Sequence, residues 1–109
     1  MTSVPEANID ELATAVRDGA QVIDVRETHE YVAGHVPGAA LIPMAELPSR
    51  ADELDRTRPV YVICASGNRS SAMAAFLRQT GVDARNVTGG TGAWAAAGRA
   101  LEAGPAARS

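Results

Sequence analysis

Lysine is missing from this chain of 109 residues, and all ten of its basic side chains are arginines. They are scattered along a chain of net charge −3. No basic stripe exists to follow a phosphate backbone, which argues against nucleic-acid binding through a broad electrostatic footprint. Lysine absence together with heavy use of alanine suggests a GC-rich coding sequence and says nothing about mechanism. Cysteine occurs once, at Cys64. That excludes an internal disulfide and a cysteine metal cluster, and leaves a choice between a buried inert thiol and a reactive one. Nothing else has metal-ligand spacing, so neither a metal nor a cofactor is implied. No apolar run approaches the roughly 20 residues of a membrane-spanning helix. The N-terminus also lacks a charged and then apolar signal segment, so the chain reads as cytoplasmic with no membrane partner. At 46% hydrophobic residues the length supports one domain with a modest core, and no internal repeat divides it.

What is present centres on Cys64-Ala65-Ser66-Gly67-Asn68-Arg69-Ser70. Before it, Val60-Tyr61-Val62-Ile63 is a short apolar, β-branched run of the kind a buried parallel strand shows. After it, Ala72, Met73, Phe76 and Leu77 recur at helical spacing until Gly81, which stands where a C-terminal cap would. The cysteine therefore falls at the carboxyl end of a strand, where open α/β sheets bind their ligands. Gly67 and Asn68 tolerate a curled backbone, so several N–H groups can converge on the sulfur. Those donors, the positive end of the next helix and Arg69 all favour an anion there and lower the thiol pKa. A cysteine phosphatase needs five residues between cysteine and arginine, and Ser70 holds that position here. The loop from Cys64 to Arg69 is tighter, and suits a sulfur atom attached to the thiolate better than a phosphoryl group.

The remaining elements alternate. A helix is expected over about Ile9 to Asp18, with Asn8 and Glu11 as a capping box and Gly19 as its end. Gln21 to Arg26 reads as a strand, Glu30 to Ala33 as a turn or two of helix ended by Gly34, and Val36-Pro37-Gly38 as a turn. Ala40 to Ile42 is a short strand, and a helix over about Ala45 to Leu54 is punctuated by Pro48. Ala84 to Val87 is the last strand, and Gly89-Gly90 leads into a helix containing Trp94 that ends near Gly98. Such short alternating units predict an α/β fold, a small parallel sheet covered by helices on both faces. The segment from Glu102 to Ser109 is rich in alanine and glycine and is expected to fray.

Three motifs in order resemble the rhodanese family of sulfurtransferases. The loop matches the single-domain pattern Cys-x-Ser-Gly-x-Arg-Ser at Cys64, Ser66, Gly67, Arg69 and Ser70. Asp24-Val25-Arg26, Glu30 to Ala39 and Ile42-Pro43 match the Asp-Val-Arg, Glu-Tyr-x-x-Gly-His-Ile-Pro-Gly-Ala and Ile-Pro signatures, with Val36 in place of isoleucine. Gly89-Gly90 followed by Trp94 resembles the C-terminal signature. The likeness runs from about Asn8 to Leu101 and implies a single rhodanese domain of about five strands. Arg99-Ala100 departs from the Leu-Pro or Tyr-Pro often found there. Ala65 and Ser66 stand where some thiosulfate-using members carry an additional basic residue.

What the resemblance implies is a transferase in which Cys64 takes sulfane sulfur from thiosulfate or another persulfide donor. The resulting persulfide is passed to a thiophilic acceptor, cyanide or a thiol. Ala65, Ser66, Gly67, Asn68, Arg69 and Ser70 would form the substrate loop, with Arg69 orienting an anionic donor. Two other readings stay open: a non-catalytic binding module on the same fold, and a persulfide carrier serving a partner enzyme in a sulfur relay. A phosphatase or arsenate-handling enzyme lacks its longer loop here. Asp24 and Arg26 read as a structural pair fixing neighbouring loops, and His35 as a hydrogen-bonded residue of a turn. His29 is expected to face solvent, and Tyr31 and Trp94 to pack.

Overall fold

A computed structural model describes residues 4–105. Five parallel strands, β1 (Glu6–Ala7), β2 (Gln21–Asp24), β3 (Ala40–Leu41), β4 (Val60–Ile63) and β5 (Ala84–Val87), form one sheet in the order β1-β5-β4-β2-β3. Among the described residues, α1 (Ile9–Arg17), α2 (Thr28–Ala33), α3 (Leu47–Arg50) and α4 (Asn68–Gln79) connect successive strands, and α5 (Gly90–Ala96) follows the last. Side chains alternate along each strand, so β2, β4 and β5 feed two cores. Ile23, Val60, Val62 and Cys64 point to one face, with Leu47, Ala74 and Leu77. Val22, Ile63 and Val87 point to the other, with Leu12 and Trp94. The expected α/β sheet with helices on both faces is therefore the observed architecture, and none of its described helices is long and apolar enough to cross a membrane.

Local differences from the sequence expectation have physical causes. β1 is only two residues long and exists by pairing with β5, Glu6 opposite Asn86, so no hydrophobic run announces it. The expected helix from Ala45 to Leu54 begins two residues later. Pro48, which has no N–H to give, stands in the first turn of α3, and Ala51–Glu53 tighten into a 3-10 turn. Asn8 caps α1 as expected, its Oδ1 accepting from the Glu11 N–H at 2.8 Å while Glu11 Oε1 accepts from the Asn8 N–H at 2.8 Å. The segment expected to fray is tied at its start. His35 and Glu102 exchange two backbone hydrogen bonds of 2.8 Å, and the Gly104 N–H donates to the Val32 carbonyl at 2.9 Å. Residues 106–109 of that expectation lie outside the described residues.

Candidate active site

β4 ends at Ile63, and the chain turns at once through Cys64 to Gly67 into α4. Gly67 is the N-cap of α4 at φ +108°, a left-handed conformation that side chains rarely adopt, and this brings the first turn of the helix back over the sulfur. The Gly67 N–H stands 3.1 Å from Sγ, the Ser70 N–H 3.3 Å and the Ser70 hydroxyl 3.2 Å. The residue itself is 1% exposed. Burial pushes the Cys64 thiol up, but the Ser70 hydroxyl and the N–H groups of Ser70, Gly67 and Ser66 outweigh it, so the pKa falls below that of an ordinary thiol. Ser66 and Asn68 are exposed, and Ala65 and Arg69 are half-buried at the rim.

Ser70 reaches further. Its hydroxyl also lies 2.5 Å from Asn86 Oδ1 on β5, and Asn86 Nδ2 is 3.5 Å from Glu6 Oε2. One hydroxyl proton serves one acceptor at a time, so ionisation of Cys64 is expected to draw it from Asn86 to the sulfur. Ser70→Ala removes that donor, and the thiol pKa is expected to rise. The pH profile of Cys64 alkylation checks this: the midpoint should move to higher pH, whereas an unmoved midpoint would leave the hydroxyl with Asn86 in both states.

A second helix terminus holds the loop from behind. The Thr91 N–H and hydroxyl donate to the Cys64 carbonyl at 2.8 and 3.1 Å, and the Gly92 N–H donates to the Ala65 carbonyl at 3.0 Å. The amides of the first turn of α5 are thus spent on the loop backbone. Gly90 makes the approach possible, because a Cβ there would meet the backbone of Cys64 and Ala65.

The charged residues are paired. Asp24 is fully buried and Arg26 nearly so, and their side chains meet at 2.8, 3.0 and 3.1 Å. Arg26 also donates to the Gly34 carbonyl at 2.8 Å, which ties the end of β2 to the end of α2. Arg69 lies in the first turn of α4, where a cation opposes the helix dipole. The anion that answers it is Glu30 of α2, in a two-point pair of 2.9 and 3.0 Å. The Arg69 guanidinium lowers the Glu30 carboxyl from 4.5 to about 2, so the pair is intact at neutral pH; the stability it contributes is lost only as pH falls from 4.5 toward 2. His35 is buried, donates from Nδ1 to the Tyr31 carbonyl at 2.8 Å and stacks on the Tyr31 ring. His29 is exposed, and Trp94 packs in the core.

The structure brings Cys64 together with its loop and Asp24 together with Arg26, and adds Asn86, Thr91 and the pairing of Glu30 with Arg69, which sequence reading missed. The missing contacts cross from other elements. Only Gly89-Gly90 ahead of α5 hinted that backbone must approach closely there.

The rhodanese-like domain family matches residues 8–97. A rhodanese-related protein of Thermoplasma volcanium is 34% identical, with a TM-score of 0.84 over 90% of this chain and 97% of that one. A thiosulfate sulfurtransferase of Pseudomonas aeruginosa is 31% identical, with a TM-score of 0.86 over 96% of this chain and 21% of that one. Among curated relatives, YrkF of Bacillus subtilis, provisionally named a sulfur carrier protein, is 35% identical over 73% of this chain and 44% of its own length. YtwF of the same organism, provisionally named a sulfurtransferase, is 38% identical over 67% of this chain and 71% of its own. The match thus spans less than half of YrkF and about 60% of another relative, YqhL. With the parallel sheet, the cysteine loop at its carboxyl edge and these likenesses together, the chain belongs to the rhodanese-like domain family.

Proposed function

We propose that the chain transfers sulfane sulfur through a persulfide on Cys64. The observation that carries this reading is the sulfur of Cys64 facing three hydrogen-bond donors at 3.1 to 3.3 Å at the carboxyl end of a central strand. Such a cradle holds the thiolate without a general base, and the same donors stabilise the persulfide anion that replaces it. In the first step the thiolate attacks the outer sulfur of a donor, thiosulfate or an organic persulfide. A Cys64–S–S⁻ bond forms, the donor's S–S bond breaks, and its electron pair leaves with sulfite or a thiolate. In the second step a thiophilic acceptor, cyanide or a thiol, attacks the outer sulfur, and the Cys64 thiolate departs with the electron pair. Asp24, Arg26 and His35 support the loop's surroundings and touch no reacting atom.

The name of YrkF favours a second reading, in which the persulfide is handed to a partner enzyme in a cytoplasmic relay rather than to a small acceptor. Both readings need the same loop. Steady-state formation of thiocyanate from a sulfur donor and cyanide tests the transferase. Parallel double-reciprocal lines and complete loss of turnover in Cys64→Ser are expected. A serine variant as active as the wild type would end the proposal.

A further inference from the structure

Resting on the sulfur-transfer reading, we infer that Glu30 is a specificity-determining residue that turns the site toward sulfur donors carried on an uncharged arm, organic persulfides R–S–SH, and away from dianionic donors such as thiosulfate. The positive groups around Cys64 are already committed. Arg69 is held at two points by Glu30, and Arg26 by Asp24. The chain has no lysine to add a charge, and the loop side chains of Ala65, Ser66 and Asn68 are neutral. The Gly67 and Ser70 amides face the sulfur, and the Thr91 and Gly92 amides of α5 are bonded to the carbonyls of Cys64 and Ala65. A sulfonate attached to the incoming sulfur would stand beside a thiolate and a carboxylate with no unpaired cation to answer it, a repulsion that water screens only in part.

The cleft beside the loop supports the same choice. It has a volume of about 420 Å³ and is walled chiefly by Ala33, Gly34, Ala65, Gly92, Ala95 and Leu101, with Glu30 and Arg26 at its charged side. Small apolar walls accept a neutral organic arm, and the one cation on the lining, Arg26, is already paired with Asp24. The step balances without an oxidant: Cys64–S⁻ and R–S–SH give Cys64–S–SH and R–S⁻, one S–S bond forming as another breaks.

The test compares single-turnover loading of Cys64 by 2-hydroxyethyl persulfide and by thiosulfate, followed by intact mass. It uses the wild type, Glu30→Gln and Glu30→Gln/Arg69→Gln. Glutamine keeps an acceptor for the Glu27 N–H, now 3.0 Å from Glu30 Oε1, while it removes the charge and turns the second acceptor for Arg69 into a donor, which frees the guanidinium. In Glu30→Gln the thiosulfate-to-persulfide rate ratio is expected to rise about tenfold or more, and in the double variant to fall back toward the wild type. On the wild type alone, added salt should speed thiosulfate loading, because it screens repulsion. A ratio unmoved in Glu30→Gln, or one that stays high without Arg69, would overturn the inference while leaving sulfur transfer intact. Failure of both donors to load the wild type would overturn both.

Discussion

Gly90→Ala is expected to lower stability by about 3 kcal/mol or more and to disable the site in the same stroke. Gly90 sits at φ +60°, and a Cβ placed on it would lie 2.4 Å from the Cys64 carbonyl oxygen and 2.8 Å from the Ala65 carbonyl carbon. The left-handed backbone alone costs an alanine about 1–2 kcal/mol. The contacts cannot be relieved by a rotamer change, because both are with backbone. Moving that backbone also breaks the hydrogen bonds from Thr91 to the Cys64 carbonyl. Gly98 provides the control: it has a similar φ of +78° but open space around its missing Cβ. Urea denaturation of both variants separates strain from clash, with Gly98→Ala losing about 1 kcal/mol and retaining ordinary Cys64 alkylation. Equal losses would mean that close approach behind the cysteine loop is unimportant.

Asp24→Asn is expected to cost about 3–5 kcal/mol, because it leaves the Arg26 guanidinium buried beside a neutral partner. Asp24 is fully buried and Arg26 is 6% exposed, so water cannot replace the lost carboxylate. For a domain of this size the loss corresponds to a fall in Tm of about 12 °C or more. It would also loosen the Arg26 tie to the Gly34 carbonyl, and with it the approach of α2 to the site. Asp24→Leu combined with Arg26→Met removes both charges and should recover much of the stability, since paired burial of charge contributes little net. Thermal melts of the two variants check both statements. A single variant as stable as the wild type would show that the pair does not hold the loops.

What could be read from the sequence follows from how local each interaction is. Cys64, Gly67 and Ser70 are neighbours in the chain, so their convergence was implied by a strand, a permissive residue and a helix start in succession. The capping box of α1 and the Asp24–Arg26 pair are equally short-range. Arg69 showed its difficulty, a cation at a helix N-terminus, but not its solution. Glu30 lies 39 residues away, and only the packing of α2 against the loop brings the two together. Asn86 looked like an interior strand position, because nothing in β5 reveals that Ser70 projects toward it. β1 illustrates the limit most simply: two residues carry no periodicity, and Glu6–Ala7 become a strand only because the edge of β5 is unpaired.

The central claim is that Cys64 is the atom that carries sulfur. It is tested most directly by the intact mass of reduced protein incubated with a sulfane-sulfur donor, thiosulfate or 2-hydroxyethyl persulfide, beside Cys64→Ala treated identically. The account predicts the gain of one sulfur atom on the wild type only, reversed by cyanide with release of thiocyanate. A wild type that gains nothing from either donor while Cys64 remains alkylatable, or a Cys64→Ala variant that gains the same mass, would contradict it.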